Sequence, residues 1–77
     1  MKFVNAPNGL IVRSSPSKNA KRIGKIDNYS CVSIIKETNI KLNIKDNDKV
    51  INGQWNEIKV CNSDLRGYVF DGFLIDK

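Results

Sequence analysis

Histidine is absent from this sequence. The side chain that most often serves as a general base at neutral pH is therefore unavailable. The two cysteines, Cys31 and Cys61, have no histidine with which to form the usual nucleophilic pair. They are also too few for a structural zinc site, which takes four ligands. Asp46-Asn47-Asp48 has the acids of a metal loop, but no bidentate glutamate and no turn glycine follow at calcium-loop spacing. A solvated turn is the better reading. The five glycines (9, 24, 53, 67 and 72) are dispersed and build no phosphate cradle. No apolar run approaches the ~20 residues that span a bilayer. These shortages assign no metal, no cofactor and no catalytic residue, so a non-enzymatic chain is expected. One catalytic route stays open, an activated thiol at Cys31 or Cys61 whose reactivity would rise well below pH ~8.

Acidic residues are missing from the first third. Lys2, Arg13, Lys18, Lys21, Arg22 and Lys25 all precede the first acid, Asp27, whereas the remainder is nearly balanced; the net charge is +5. A field of one sign attracts anions, or simply keeps a small domain soluble. What remains is ordinary for a globular chain: 77 residues, 40% apolar and 27% charged, enough for one domain with a thin stability margin.

Period-2 alternation dominates. Short strands are expected at Phe3–Ala6, Leu10–Arg13 and Ile23–Ile26, with Pro7-Asn8-Gly9 as a turn. Ser14 to Arg22 reads as a loop with one helical turn around Asn19–Lys21, because Pro16 interrupts the ladder. Tyr29–Lys36 is rich in β-branched residues and is the clearest strand. Thr38–Lys45 sets Ile40, Leu42 and Ile44 against Asn39, Lys41, Asn43 and Lys45. Lys49-Val50-Ile51 returns, and Asn52-Gly53 reads as a second tight turn. Gln54–Val60 and Leu65–Phe70 follow, and Phe73-Leu74-Ile75 closes the sheet after Asp71-Gly72. Many short strands, no long helix and no repeat give an all-β barrel or sandwich.

Three blocks carry a family resemblance. Gly9-Leu10-Ile11-Val12-Arg13-Ser14-Ser15-Pro16 followed by Ile23-Gly24-Lys25-Ile26 resembles the opening of bacterial SH3 (SH3b) domains, G-L-x-V-R-x-x-P and I-G-x-[LI]. Ile51-Asn52-Gly53-Gln54-Trp55-Asn56-Glu57-Ile58 is similar to the family's I-x-G-x-W-x-x-[VI] strand. Gly67 to Leu74 is similar to its closing G-[WY]-V-x-x-x-[YF]-L segment. The resemblance implies one domain over residues 1–77: a small SH3-like β-barrel of five to seven strands, with an added β-hairpin over residues 37–51 where many members have a shorter connection. That hairpin could shape the ligand site, only lengthen the sheet, or expose Ile40, Leu42 and Ile44 as a dimerising strip.

Of the six aromatics, Trp55 lies by alternation on the face opposite Ile58 and Val60, and Tyr68 shares a face with Phe70. The resemblance implies a groove lined by Trp55, Tyr68 or Phe70, and Phe73, with the loop from Ser14 to Lys18, Ser15 included, as its opposite wall. Lys18, Lys21 and Arg22 would attract anionic groups. Phe3 and Tyr29 are expected in the core. Arg13 contacts ligand or braces its loop through carbonyls, and the brace is favoured. Flat rings give contact area at small entropic cost, as peptide or sugar surfaces need. On this reading Trp55→Ala weakens wall binding and leaves the fold intact.

If Tyr29–Lys36 pairs antiparallel with Trp55–Cys61 so that Lys36 meets Trp55 or Asn56, Cys31 falls opposite Val60 or Cys61. A disulfide between Cys31 and Cys61 and a pair of reduced apolar thiols are the alternatives. The resemblance implies a non-catalytic targeting module of the bacterial cell envelope that binds peptidoglycan peptide or glycan, or a protein partner. The alternative is a protein or nucleic-acid adaptor using the basic N-terminal lobe. Met1-Lys2-Phe3 is similar to the start of a signal peptide, but Asn5, Pro7, Asn8 and Gly9 follow in place of an apolar stretch. Such a module would belong to a longer exported protein; a cytoplasmic chain is the other reading.

Overall fold

In the computed structural model, which describes residues 1–46 and 48–76, the chain forms one curled antiparallel sheet of seven strands. They are β1 (Lys2–Val4), β2 (Leu10–Arg13), β3 (Arg22–Ile26), β4 (Cys31–Asp46), β5 (Lys49–Val60), β6 (Arg66–Phe70) and β7 (Leu74–Ile75), with a 3-10 turn at Asp71–Phe73. The order across the sheet is β3-β2-β6-β5-β4-β1-β7. The small SH3-like all-β fold expected from the sequence is the one observed.

Alternation builds the core as expected. On β2, Leu10 and Val12 are buried while Ile11 and Arg13 are half-buried. Ile58 and Val69 extend that face from β5 and β6, and Val4, Ala6, Ile26 and Val32 complete it. Each fully buried Val or Ile side chain contributes roughly 1.5–3 kcal/mol relative to exposure.

The central hairpin differs from the expected one. Asn52 and Gly53 do not turn: they pair with Asn43 and Leu42 within the β4–β5 ladder. Glycine serves here for close approach. A Cβ on Gly53 would lie 2.6 Å from Asp71 Oδ1 and 2.9 Å from the Gly72 nitrogen, so β5 can run against the 3-10 turn only without one. The single reversal lies between Asp46 and Lys49; Asn47, which the sequence places in that turn, is outside the described residues.

Two irregularities shift the register, at Ile35 and across Thr38–Ile40. The first moves Lys36 opposite Glu57, one residue beyond the sequence-based alignment, yet Val32 still meets Val60. Within the second, the Trp55 carbonyl accepts a hydrogen bond from Thr38 Oγ1 at 2.7 Å, and Asn39 takes φ 62°. Bulges bend a strand and re-aim its side chains.

Three local expectations are corrected. Tyr29 is 69% exposed, not core, because it sits at a turn tip with φ 66°. Phe3 is half-buried on the short β1 and lies outside the core cluster. The loop after β2 closes through turns, without a helical one: Ala20 N–H donates to the Ser17 carbonyl and Ser14 N–H to the Lys21 carbonyl.

Cys31 and Cys61 are joined by a disulfide with Cα atoms 5.3 Å apart. Cys61 N–H also donates to the Cys31 carbonyl at 3.0 Å, so the bridge lies across the open end of the β4–β5 pair.

Candidate functional site

A cleft of about 640 Å³ lies beside the core, with Ala6 and Leu10 of the core cluster in its lining. Trp55 and Phe70 face each other across the β5–β6 pairing and form its floor with Phe73. Trp55 meets Phe70 edge-on, with centroids 6.3 Å apart, and Phe70 meets Phe73 edge-on at 5.6 Å. Such T-shaped pairs satisfy the ring quadrupoles and fix each ring's tilt.

The first wall is the segment from Asn5 to Ile11. Its turn runs from Ala6 to Gly9, with Pro7 presetting φ, Gly9 at φ 86°, and Gly9 N–H donating to the Ala6 carbonyl at 2.7 Å. Two bonds hold it in place: Asn5 N–H donates to the Phe73 carbonyl, and Ala6 N–H to Asn28 Oδ1. The wall and the floor ring Phe73 are thereby tied together. The second wall is the added hairpin, with Leu42, Ile44 and Ile51 facing the cleft. Leu42 pairs with Gly53 and Ile44 with Ile51, so these side chains lie on the Trp55 face of the ladder.

The 3-10 turn that carries Phe73 is anchored by Asp71. Its Oδ1 accepts from the Gln54 N–H at 2.8 Å, and Oδ2 accepts from Asn56 Nδ2 at 3.4 Å. Asn56 is buried, and its own Oδ1 has no partner among the described residues. The ends of the chain meet away from the cleft, where Lys2 Nζ lies 2.7 Å from Asp76 Oδ1. That hydrogen bond, then the Lys2 charge, holds the Asp76 carboxyl below the ordinary carboxylate range.

Of the residues singled out in the sequence, the cleft gathers Trp55, Phe70, Phe73 and Lys18. It does not gather Tyr68, Ser15, Lys21 or Arg22. Tyr68 lies two residues before Phe70 on the same face of β6, between Arg13 of β2 and Glu57 of β5. Ser15 is exposed, and its carbonyl accepts from Ser17 N–H within the loop. Lys21 and Arg22 are exposed at the entry to the edge strand β3. Arg13 Nη1 donates to the Ala20 carbonyl at 2.8 Å, the brace favoured from sequence, and the same side chain also lines the cleft.

Trp55 is only 5% exposed. It lies on the face of β5 opposite Ile58, as alternation predicts, but burial this deep contradicts the expectation that its removal spares the fold. Its ring is packed against Phe70 and presents only a margin to the cleft.

Sequence reasoning missed the whole first wall and the basic residues Lys45 and Lys49 of the second. The alternation of Ile40, Leu42 and Ile44 was a visible signal for an apolar hairpin face. Nothing in the spacing showed that this face turns toward Trp55.

A family model for the bacterial SH3 domain matches residues 8–75. No curated protein and no solved structure matches the chain. With nearly its full length covered, the chain belongs to the bacterial SH3 domain family, whose members are generally binding modules, often for the cell wall.

Proposed function

We propose that this bacterial SH3 domain is a non-catalytic binding module of the cell envelope that recognises peptidoglycan peptide or glycan in the cleft between its N-terminal turn and its added hairpin. One observation carries the reading: three rings packed in series, Trp55, Phe70 and Phe73, line an open cleft of about 640 Å³. Packed rings are already ordered, so a ligand that lies on them does not bear the entropic cost of fixing them. The size suits a short peptide or a few sugar units.

Trp55 is the sole tryptophan, so its emission reports on this cleft alone. Titration with soluble wall fragments tests the proposal. A saturable change in Trp55 emission that competes with whole wall supports it, and no change at any fragment concentration rejects it.

The exposed Lys21, Arg22 and Lys25 favour a second reading, an adaptor for nucleic acid or an acidic protein at the edge strand. Its affinity would fall steeply with salt and leave Trp55 emission unchanged.

A further inference from the structure

The cleft is basic on both sides. Arg13 and Lys18 line it from the end of β2 and the loop that follows, and Lys45 and Lys49 from the hairpin. Among the residues whose side chains are described, the lining includes no carboxylate. The ion pairs of the described residues are Lys2–Asp76 and Glu57–Arg66, and neither involves Lys18, Lys45 or Lys49. These ammonium groups border an apolar floor, and none has an ion-pair partner among the described residues; Asp46 is the ladder partner of Lys49. Asp48 is also exposed at the hairpin tip but does not line the cleft.

From this arrangement we infer that the cleft selects an extended peptide bearing at least two carboxylates, gripped on one side by Lys18 and on the other by Lys45 and Lys49. The inference rests on the cleft being the binding site and adds the ligand's charge. A peptide is favoured over a polyol-phosphate polymer by the floor. Phe73, Leu42 and Ile51 offer a ring and aliphatic surface, which match aliphatic side chains between carboxylates and have nothing to offer a chain of phosphates. Two basic walls require charges spaced along the ligand, so a single terminal carboxylate would use one wall only. The hairpin lysines thus give the residue 37–51 segment a role in specificity.

The test uses two synthetic peptides, N-acetyl-Ala-Glu-Ala-Ala as the free acid and N-acetyl-Ala-Gln-Ala-Ala as the amide, titrated against the intact domain by Trp55 emission at low salt. The dicarboxylate should bind about tenfold more tightly, the effect of two favourable exposed ion pairs. The preference should shrink as salt rises. The Lys45→Gln/Lys49→Gln double variant should lose most of it, while Lys25→Gln, outside the cleft, keeps it. Both variants lie on exposed positions, and circular dichroism checks that they fold. Equal affinity for the two peptides, or an unchanged preference in the Lys45/Lys49 variant, overturns the inference. So does a response to polyglycerol phosphate without one to either peptide. If wall fragments still change Trp55 emission in those cases, the cleft stands as the site and only its charge selectivity fails. If wall fragments leave Trp55 silent, the site itself is wrong.

Discussion

Replacing Trp55 with alanine should destabilise the fold rather than merely weaken binding. The ring is 5% exposed and packs edge-on against Phe70, which is 3% exposed and packs in turn against Phe73. Removing a buried Trp typically costs about 3–5 kcal/mol in transfer and cavity terms together. A domain of this length has a total stability of about 4–12 kcal/mol at the usual value per residue. The substitution therefore removes from about a quarter to all of that margin. At about 4–8 °C per kcal/mol for a domain of this size, the midpoint should fall by at least about 12 °C. Thermal unfolding followed by far-ultraviolet circular dichroism is the assay, since the variant lacks the fluorophore. Trp55→Phe keeps a ring in the pocket and should lose far less. A Trp55→Ala midpoint within about 5 °C of the parent would mean that the ring is not packed as described, and the reasoning from burial would be refuted.

Two further predictions concern the frame around the cleft. Cys31 and Cys61 close a loop with a sequence separation of 30, so the Cys31→Ser/Cys61→Ser variant should lose about 3.5 kcal/mol on the chain-entropy model, measured by urea unfolding; intact mass without reductant should be lower by two hydrogens, and an unchanged mass would remove the bridge. Asp71→Ala leaves the Gln54 N–H without its 2.8 Å acceptor and should cost about 1–3 kcal/mol by the same measurement. Because Asp71 opens the 3-10 turn that carries Phe73, this variant should also weaken the response of Trp55 to wall fragments; undiminished stability and response would show that the turn holds itself.

The strands were legible where one face is buried, because burial imposes the alternation that Leu10, Val12, Ile58 and Val69 display. The disulfide was within reach for a related reason. The sequence-based register had Cys31 opposite Val60 or Cys61, and the irregularity at Ile35 falls beyond the bridge, so it displaced Lys36 and left Val32 opposite Val60. Asn52-Gly53 misled because a glycine preceded by asparagine has the composition of a tight turn, whereas here glycine admits the Asp71 side chain and the Gly72 backbone. Tyr29 misled because an aromatic beside a strand is usually packed, but at a turn tip with φ 66° this one stays 69% exposed. The candidate site was half legible. Its rings follow from parity and family motif, but its walls depend on a long-range meeting of the Asn5–Gly9 turn with a hairpin bent by bulges. No local pattern encodes that meeting, so Lys45 and Lys49 went unnoticed and Lys21 and Arg22 were favoured in their place.

The central claim is that the ring-floored cleft is the binding surface. Amide and indole chemical shifts of the isotope-labelled domain, followed during titration with soluble wall fragments, test it most directly. The account predicts saturable shifts that cluster at Trp55, Phe73, Leu42, Ile51 and the Asn5–Gly9 turn and persist at moderate salt. Shifts confined to Lys21–Lys25 that fade as salt is added, with Trp55 unmoved, would contradict it.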